Sequence, residues 1–258
     1  MGMDWFSLRL SPVYYGLGVP RGNGAPVVVI PGFLGSDNYL IEMYYWLRRI
    51  GYKPYYSRIG RNSECPDVLR DRLFETMDTA FEETGRKLHL IGHSLGGLLA
   101  RSAAAQRPEQ VAQVICLAAP FRDLKVHPMV LAAAGFIRQR IHNQRERESS
   151  PKRECYTGGC TCGFASSLRN EMPGSVQRAA IYTETDGVVD WKSCLEEDTS
   201  LNIRVDGTHA GLAFNPQVYR QVARLLASTA RTSKNGAKRP ISKRRRPSNE
   251  TQTSAKDS

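Results

Sequence analysis

The segment LHLIGHSLGG at residues 88–97 decides the fold of this chain. Its first four residues are a short apolar run of the kind that forms a buried strand, and a segment rich in Ala and Leu follows with helical character. Between them, the pattern Gly92-x-Ser94-x-Gly96 predicts a sharp strand-to-helix turn with Ser94 at its tip. Such a turn presents a serine hydroxyl beside the unpaired N–H groups of a helix N-terminus. Ser94 is therefore the candidate nucleophile.

Strand-like and helix-like segments alternate on both sides of this turn. Short apolar runs predict six strands, at 27–30, 52–59, 88–91, 111–118, 179–183 and 202–205. Apolar residues at helical spacing predict helices at 38–50, 66–84, 95–106 and 216–227. This alternation predicts an α/β fold with right-handed crossovers and a mostly parallel sheet covered by helices on both faces. Residues 1–24 show no regular pattern and are expected to be irregular.

The length and composition fit one globular domain over residues 1–230. The chain has 258 residues, of which 41% are hydrophobic. Residues 121–177 interrupt the alternation, and we expect them to form a cap or lid insertion over the carboxyl edge of the sheet. Residues 231–258 hold nine Lys/Arg and two Asp/Glu, so this tail carries +7 of the net charge of +11. It contains almost no large apolar residue, and we expect it to be disordered.

The lack of a recognisable targeting or transmembrane segment predicts a cytoplasmic protein. The N-terminus lacks the basic start and apolar run of a signal peptide, and no apolar stretch is long enough to span a bilayer. The six cysteines are therefore interpreted as thiols or metal ligands before disulfides. Three of them cluster at Cys155, Cys160 and Cys162. A zinc site completed by Cys194 or His142, a disulfide to Cys194, and unpaired thiols all remain open.

A serine nucleophile needs a base and an orienting acid. Where a serine lies on such a strand-to-helix turn, the acid and then the histidine follow it along the chain. Of three histidines downstream of Ser94, only His209 follows a predicted strand and precedes the final helix. His127 and His142 fall in the insertion. The acid is expected just after the preceding strand, where Asp186 precedes a turn glycine. The two alternatives nearby are Asp190 and Glu184.

Acyl transfer through a serine also requires two N–H donors for the oxyanion of the tetrahedral intermediate. One is expected from the backbone of Leu95, the residue after the nucleophile. The other is expected from the loop PGFLG at residues 31–35, after the first buried strand. Pro31 has no N–H, so the prediction falls on the backbone of Phe33.

Four motifs together resemble the α/β-hydrolase superfamily. They are VVVIPGFLG at 27–35, GHSLGG at 92–97, TDGVV at 185–189 and THAGL at 208–212. Within the superfamily, the chain is most similar to bacterial triacylglycerol lipases and related small esterases, over roughly residues 25–228. Many lipases carry His-Gly where this chain has Pro31-Gly32, and the 121–177 insertion matches no known lid.

The residues and the resemblance together imply hydrolysis of carboxylic esters through an acyl-enzyme intermediate, with Ser94, Asp186 and His209 as the triad. No cofactor or metal is expected for this chemistry. The substrate is expected to be a small-molecule or lipid ester, and the apolar segment 129–137 suggests either an apolar acyl pocket or a lid that contacts lipid. The basic tail is interpreted as a solvated segment, so nucleic acid is not an expected partner. Acyl transfer or thioester cleavage by the same triad, and a non-catalytic binding role, are the alternatives.

Overall fold

The computed structural model describes residues 2–122, 127–145 and 162–236. Within them, six strands form one sheet in the order β2-β1-β3-β4-β5-β6, and every neighbouring pair is parallel. The fold class predicted from the sequence is thereby confirmed. The strands are β1 (Pro26–Ile30), β2 (Lys53–Tyr56), β3 (Leu88–His93), β4 (Val111–Leu117), β5 (Gln177–Tyr182) and β6 (Asn202–Arg204).

Seven helices connect and flank these strands. They are α1 (Gly2–Leu10), α2 (Ile41–Arg49), α3 (Pro66–Thr84), α4 (Leu95–Gln106), α5 (Pro128–Arg145), α6 (Gly163–Arg169) and α7 (Pro216–Gly236). Local chemistry explains the bounds of α3: Pro66 occupies the first turn, where its missing N–H costs nothing, and Gly85 ends the helix at a φ of 61°. Short 3₁₀ turns at 37–40 and 210–214 lie close to the candidate site.

The core has two halves, one on each face of the sheet. Alternate residues of β1 show the division, because Val27 and Val29 pack with α1, α2 and α7, whereas Val28 and Ile30 pack with α3, α4 and α6. All four side chains are fully buried. A parallel sheet covered on both faces requires apolar residues at successive positions, which is why these strands are continuous apolar runs.

Two segments, the first 24 residues and the last helix, differ from the sequence-based expectation. The segment 1–24 is not wholly irregular, because it contains α1 and a 3₁₀ turn at Pro12–Tyr15. The last helix extends to Gly236, beyond the predicted end of the domain at 230; residues 237–258 of the tail lie outside the described residues. In the insertion, α5 begins beside the loop after β5, because His127 donates its backbone N–H to the Val188 carbonyl at 2.7 Å.

Helix α6, the other described part of the insertion, packs against α3 and α4. In α6, the Ser167 hydroxyl contacts Ser102 Oγ at 2.8 Å, near the carboxyl end of α4. The backbone N–H of Phe164 donates to Asp67 in α3 at 2.9 Å. Because α4 starts at the carboxyl edge of the sheet and runs away from it, α6 packs on the sheet face. The expectation that residues 121–177 form one cap is therefore wrong for 163–169. None of the helices within the described ranges combines the length and hydropathy of a transmembrane span.

Candidate active site

Ser94 lies on a strained turn between β3 and α4. Its backbone has φ 52° and ψ −123°, a left-handed conformation that side-chain-bearing residues rarely adopt. The Ser94 N–H donates to the Leu117 carbonyl at 2.8 Å, which attaches the turn to the end of β4. The strained angles turn the chain sharply, so the half-buried Ser94 side chain stands at the carboxyl edge of the sheet.

Glycines around Ser94 allow this turn to pack tightly. A Cβ on Gly92 would lie 2.3 Å from the Gly96 carbonyl oxygen, and a Cβ on Gly96 would lie 2.3 Å from the Ile30 oxygen. A Cβ on Gly97 would lie 2.5 Å from that of Ala119. Because most of these neighbours are backbone atoms that cannot rotate away, the motif requires glycine for steric reasons.

The loops after β5 and β6 bring a carboxylate and an imidazole into contact. His209 Nδ1 lies 2.8 Å from Asp186 Oδ2, and both side chains are buried. The other oxygen of Asp186 accepts the backbone N–H groups of Val188 at 3.0 Å and Val189 at 2.7 Å. The His209 N–H also donates to the Asp186 carbonyl at 3.2 Å. These bonds fix both the carboxylate and the ring, and they favour the imidazole tautomer with its proton on Nδ1.

The alternative acids have other partners. Asp190 accepts the Lys192 N–H at 3.1 Å and caps the 3₁₀ turn that begins at Trp191. Glu184 is exposed and pairs with Arg204 Nε at 2.9 Å. Within the described residues, neither of them hydrogen-bonds to a histidine, so among the three candidates the structure pairs only Asp186 with His209.

His93 attaches the His209 segment to the Ser94 turn. Its Nε2 lies 2.9 Å from the His209 carbonyl oxygen, which can only accept, so Nε2 carries the proton. The two imidazole centroids are 4.9 Å apart. Burial, and then the nearby His209, lower the pKa of His93 to about 4, so the ring is neutral at pH 7. Within the described residues, Ser94 Oγ makes no hydrogen bond, so the structure shows the His209–Asp186 contact but not a Ser94–His209 bond.

The loop after β1 contacts the nucleophile turn through Gly32. A Cβ on Gly32 would lie 3.1 Å from Ser94 Cβ and 2.9 Å from His93 Nδ1. Two residues later, Leu34 adopts a φ of 62° and donates its N–H to the Asn62 carbonyl at 2.8 Å. Among the described residues, the backbone N–H groups of Phe33 and Leu95 donate to no protein acceptor. Both predicted oxyanion donors are therefore available.

Sequence analysis missed the side chains that hold these loops. Asn62 Nδ2 donates to the Pro31 carbonyl at 2.8 Å, while its backbone N–H donates to Gly35. The Tyr39 hydroxyl donates to the Ala210 carbonyl at 2.7 Å, and its ring lies 5.4 Å from that of His93. These contacts join residues 31 and 171 positions apart, and no local pattern in the sequence marks them.

The cysteine hypotheses are only partly addressed by the described residues. Cys194 is buried beside Asp186 and belongs to no disulfide; burial and then the charge of Asp186 raise the pKa of its thiol. No cluster of three or more potential metal ligands occurs in the described part of the chain. Cys155 and Cys160 lie outside that part, as does the side chain of His142.

Comparisons with known proteins identify the fold. A family model described as the alpha/beta hydrolase fold matches residues 84–154. The chain superposes on the crystal structure of a metagenomic carboxyl esterase with a TM-score of 0.56 and 15% identity, covering 83% of this chain and 78% of that one. The chain is thus an α/β-hydrolase-fold protein.

Part of the chain is similar in sequence to bacterial lipases. It is 31% identical over 130 residues to a triacylglycerol lipase of Burkholderia plantarii, covering 47% of this chain and 36% of that protein. It is also 31% identical over 106 residues to one of Pseudarthrobacter phenanthrenivorans, covering 38% and 33%. The chain therefore spans about a third of the length of these relatives.

Proposed function

We propose that this protein hydrolyses carboxylic esters, with Ser94 as nucleophile, His209 as general base and acid, and Asp186 as the orienting acid. The main support is the 2.8 Å contact between His209 Nδ1 and Asp186 Oδ2 at the sheet edge that also carries the strained Ser94 turn. The resemblance to triacylglycerol lipases supports esters as the substrate class.

In the first half-reaction, His209 Nε2 takes the proton of Ser94 Oγ as the oxygen attacks the ester carbonyl. The imidazolium that forms is stabilised by Asp186, whose second oxygen is held by two backbone N–H groups. The Ser94–His209 hydrogen bond forms as substrate binds, as is common where catalytic contacts are loose in the free enzyme. His209 then protonates the leaving alcohol, and an acyl group remains on Ser94.

The tetrahedral oxyanion is held by the backbone N–H groups of Phe33 and Leu95. Leu95 is the first residue of α4, so its N–H has no intrahelical partner and the helix dipole adds positive potential there. Phe33 lies in the loop that Asn62 attaches to the rest of the domain. In the second half-reaction, His209 takes a proton from water as the water oxygen attacks the acyl carbonyl; the bond between Ser94 Oγ and the acyl group then breaks, the acid leaves, and His209 returns the proton to Ser94 Oγ.

The test combines covalent labelling with turnover. Wild-type protein should react with a fluorophosphonate probe at Ser94 and hydrolyse p-nitrophenyl butyrate. The Ser94→Ala variant should lose labelling and reduce turnover by roughly 10⁴-fold or more. Wild-type protein that is folded but resists the probe would contradict the proposal, and so would a Ser94→Ala variant with near wild-type turnover. Analysis of products with added alcohol separates hydrolysis from acyl transfer to that alcohol.

A further inference from the structure

Exposed apolar side chains are concentrated on one part of the surface. Of the nine large hydrophobic residues that are exposed among the described residues, six lie at residues 6–17 or on α2. Phe6 and Leu10 lie one turn apart on α1, with exposed fractions of 62% and 83%. We call this surface the N-terminal face; its apolar members are Phe6, Leu10, Tyr15, Leu17, Ile41 and Tyr45.

A buried carboxylate holds α1, the 3₁₀ turn at Pro12–Tyr15 and α2 together. Glu42 of α2 accepts Trp5 Nε1 at 2.9 Å, Arg9 Nη2 at 2.5 Å and the Tyr14 hydroxyl at 2.5 Å. Burial raises the pKa of Glu42, but these donors outweigh it and the net shift is downward, so the carboxylate is ionised. The network fixes α1, the 3₁₀ turn and α2 relative to one another, so the exposed residues that they carry keep a fixed arrangement.

The N-terminal face is positively charged. A cleft of about 600 Å³ runs between α1 and α2 and is lined by Arg9, Arg48 and Arg49. All three arginines are exposed; Glu42, the acidic residue of the cleft, pairs with Arg9, and no carboxylate of the described residues pairs with Arg48 or Arg49. Arg49 donates to the Tyr14 carbonyl, which neutralises no charge. The face therefore combines apolar and aromatic side chains with cationic ones.

The positive charge of the N-terminal face argues against two candidate partners, the basic tail and a second copy of the chain. The tail from 231 carries +7, so it is repelled by the face. A second copy docked on the same face would oppose arginine with arginine. We propose that the N-terminal face docks the protein on an anionic lipid surface, where aromatic and aliphatic side chains enter the interface and arginines meet lipid headgroups.

The N-terminal face adjoins the segments that form the candidate active site. α1 packs against the 3₁₀ turn Ala210–Phe214, which directly follows His209. Ile41 begins α2 on the carboxyl side of β1, where the loop containing Phe33 also lies. Docking through this face would bring the candidate site close to the lipid. Delivery of a lipid ester to Ser94 rests on the proposed function, whereas docking itself does not.

The experiment measures co-sedimentation of the full chain with vesicles of phosphatidylcholine alone and of phosphatidylcholine with phosphatidylserine. Wild-type protein should bind the anionic vesicles more tightly, and added salt should weaken binding. The double variant Phe6→Ser/Leu10→Ser should bind about tenfold or more weakly, because two apolar side chains no longer enter the interface. The double variant Ile41→Ser/Tyr45→Ser tests the same face independently from α2.

Two further variants sharpen the result. Met129→Ser/Phe136→Ser on α5 is the matched control and also tests the lipid contact that the sequence predicted for 129–137, because these side chains are exposed to 76% and 73% but lie outside the N-terminal face. It should bind as wild type does. Arg48→Glu should weaken binding to anionic vesicles and reduce its dependence on salt. Circular dichroism and urea unfolding verify that each variant is folded.

Three results would overturn the proposal: wild-type protein that ignores anionic vesicles, face variants that bind as wild type does, or loss of binding only in the α5 control. Dimerisation that disappears in Phe6→Ser/Leu10→Ser, without vesicle binding, would assign the face to a second copy and overturn it too. Vesicle binding is also measured with Ser94→Ala. Failure of fluorophosphonate labelling contradicts the proposed function alone, whereas labelling without vesicle binding contradicts docking alone.

Discussion

Replacing Asp186 by asparagine changes the proton arrangement of the candidate site while leaving its shape intact. In the native protein, one oxygen of Asp186 accepts two backbone N–H groups, and the other faces His209 Nδ1 at 2.8 Å. The asparagine oxygen can keep the two backbone bonds. Its NH₂ group then faces Nδ1, and two donors cannot share that contact. The imidazole must therefore carry its proton on Nε2, where it can no longer act as a base toward Ser94.

We expect Asp186→Asn to lower turnover far more than it lowers the free energy of unfolding. Loss of the correct tautomer in a Ser-His-Asp triad lowers turnover by about 10⁴-fold, equivalent to about 5.5 kcal/mol of transition-state stabilisation. The free energy of unfolding should fall by only about 1–3 kcal/mol, because charge-assisted bonds become neutral ones while most of the backbone contacts remain.

The assay is kcat/KM for p-nitrophenyl butyrate, with the rate of fluorophosphonate labelling and urea unfolding measured on the same samples. Asp190→Asn is the matched control, because asparagine can still accept the Lys192 N–H and cap the turn. Its activity should stay within about threefold of wild type. An Asp186→Asn variant that keeps activity within about tenfold of wild type would refute this reasoning. Equal losses in both variants would show that the acid was wrongly assigned.

Three other changes test the packing around the site. Gly96→Ala should prevent the soluble fold, because its Cβ would lie 2.3 Å from a backbone oxygen, whereas Gly174→Ala, with no atom within 4 Å, should leave the urea midpoint almost unchanged. Burial lowers the pKa of His89 and His93 to about 4 each. The unfolded chain, with pKa values near 6.5, binds protons first, so stability is complete above that pH and falls toward pH 4. At pH 5 the loss is about 2 kcal/mol per imidazole, measured by urea unfolding across pH, and a flat profile would contradict the burial of both rings. Asn62→Ala should lower kcat by about tenfold or more, since it releases the loop that carries the proposed oxyanion donor, and an unchanged kcat would remove that role.

The parallel sheet was predictable because each strand is specified by its own residues. A strand buried on both faces must be apolar at successive positions, so β1 is recognised from Val27 to Ile30 without any partner. The Ser94 turn was predictable for a similar reason, since its glycines follow from clashes within a few residues along the chain or with the adjacent strand.

The helix α1 shows where local patterns fail. Leu8 is fully buried, but Phe6 and Leu10 are exposed, so the apolar residues of α1 do not form a single buried stripe. The helix is held in place by Glu42, more than thirty residues away, through Trp5 and Arg9. A nine-residue helix of this kind gains its stability from tertiary contacts, which no periodicity within it reveals.

The sequence alone determined which chemical groups this protein carries and in what order: a serine on a forced turn, then a cluster of acids, then a histidine. It left Asp186, Asp190 and Glu184 as alternatives, because all three lie within seven residues after one strand. Only the tertiary structure separated them, since a hydrogen bond depends on where two side chains meet in space. The loops after β5 and β6 place the Asp186 carboxylate 2.8 Å from His209. Asp190 instead accepts a backbone N–H, and Glu184 pairs with an arginine.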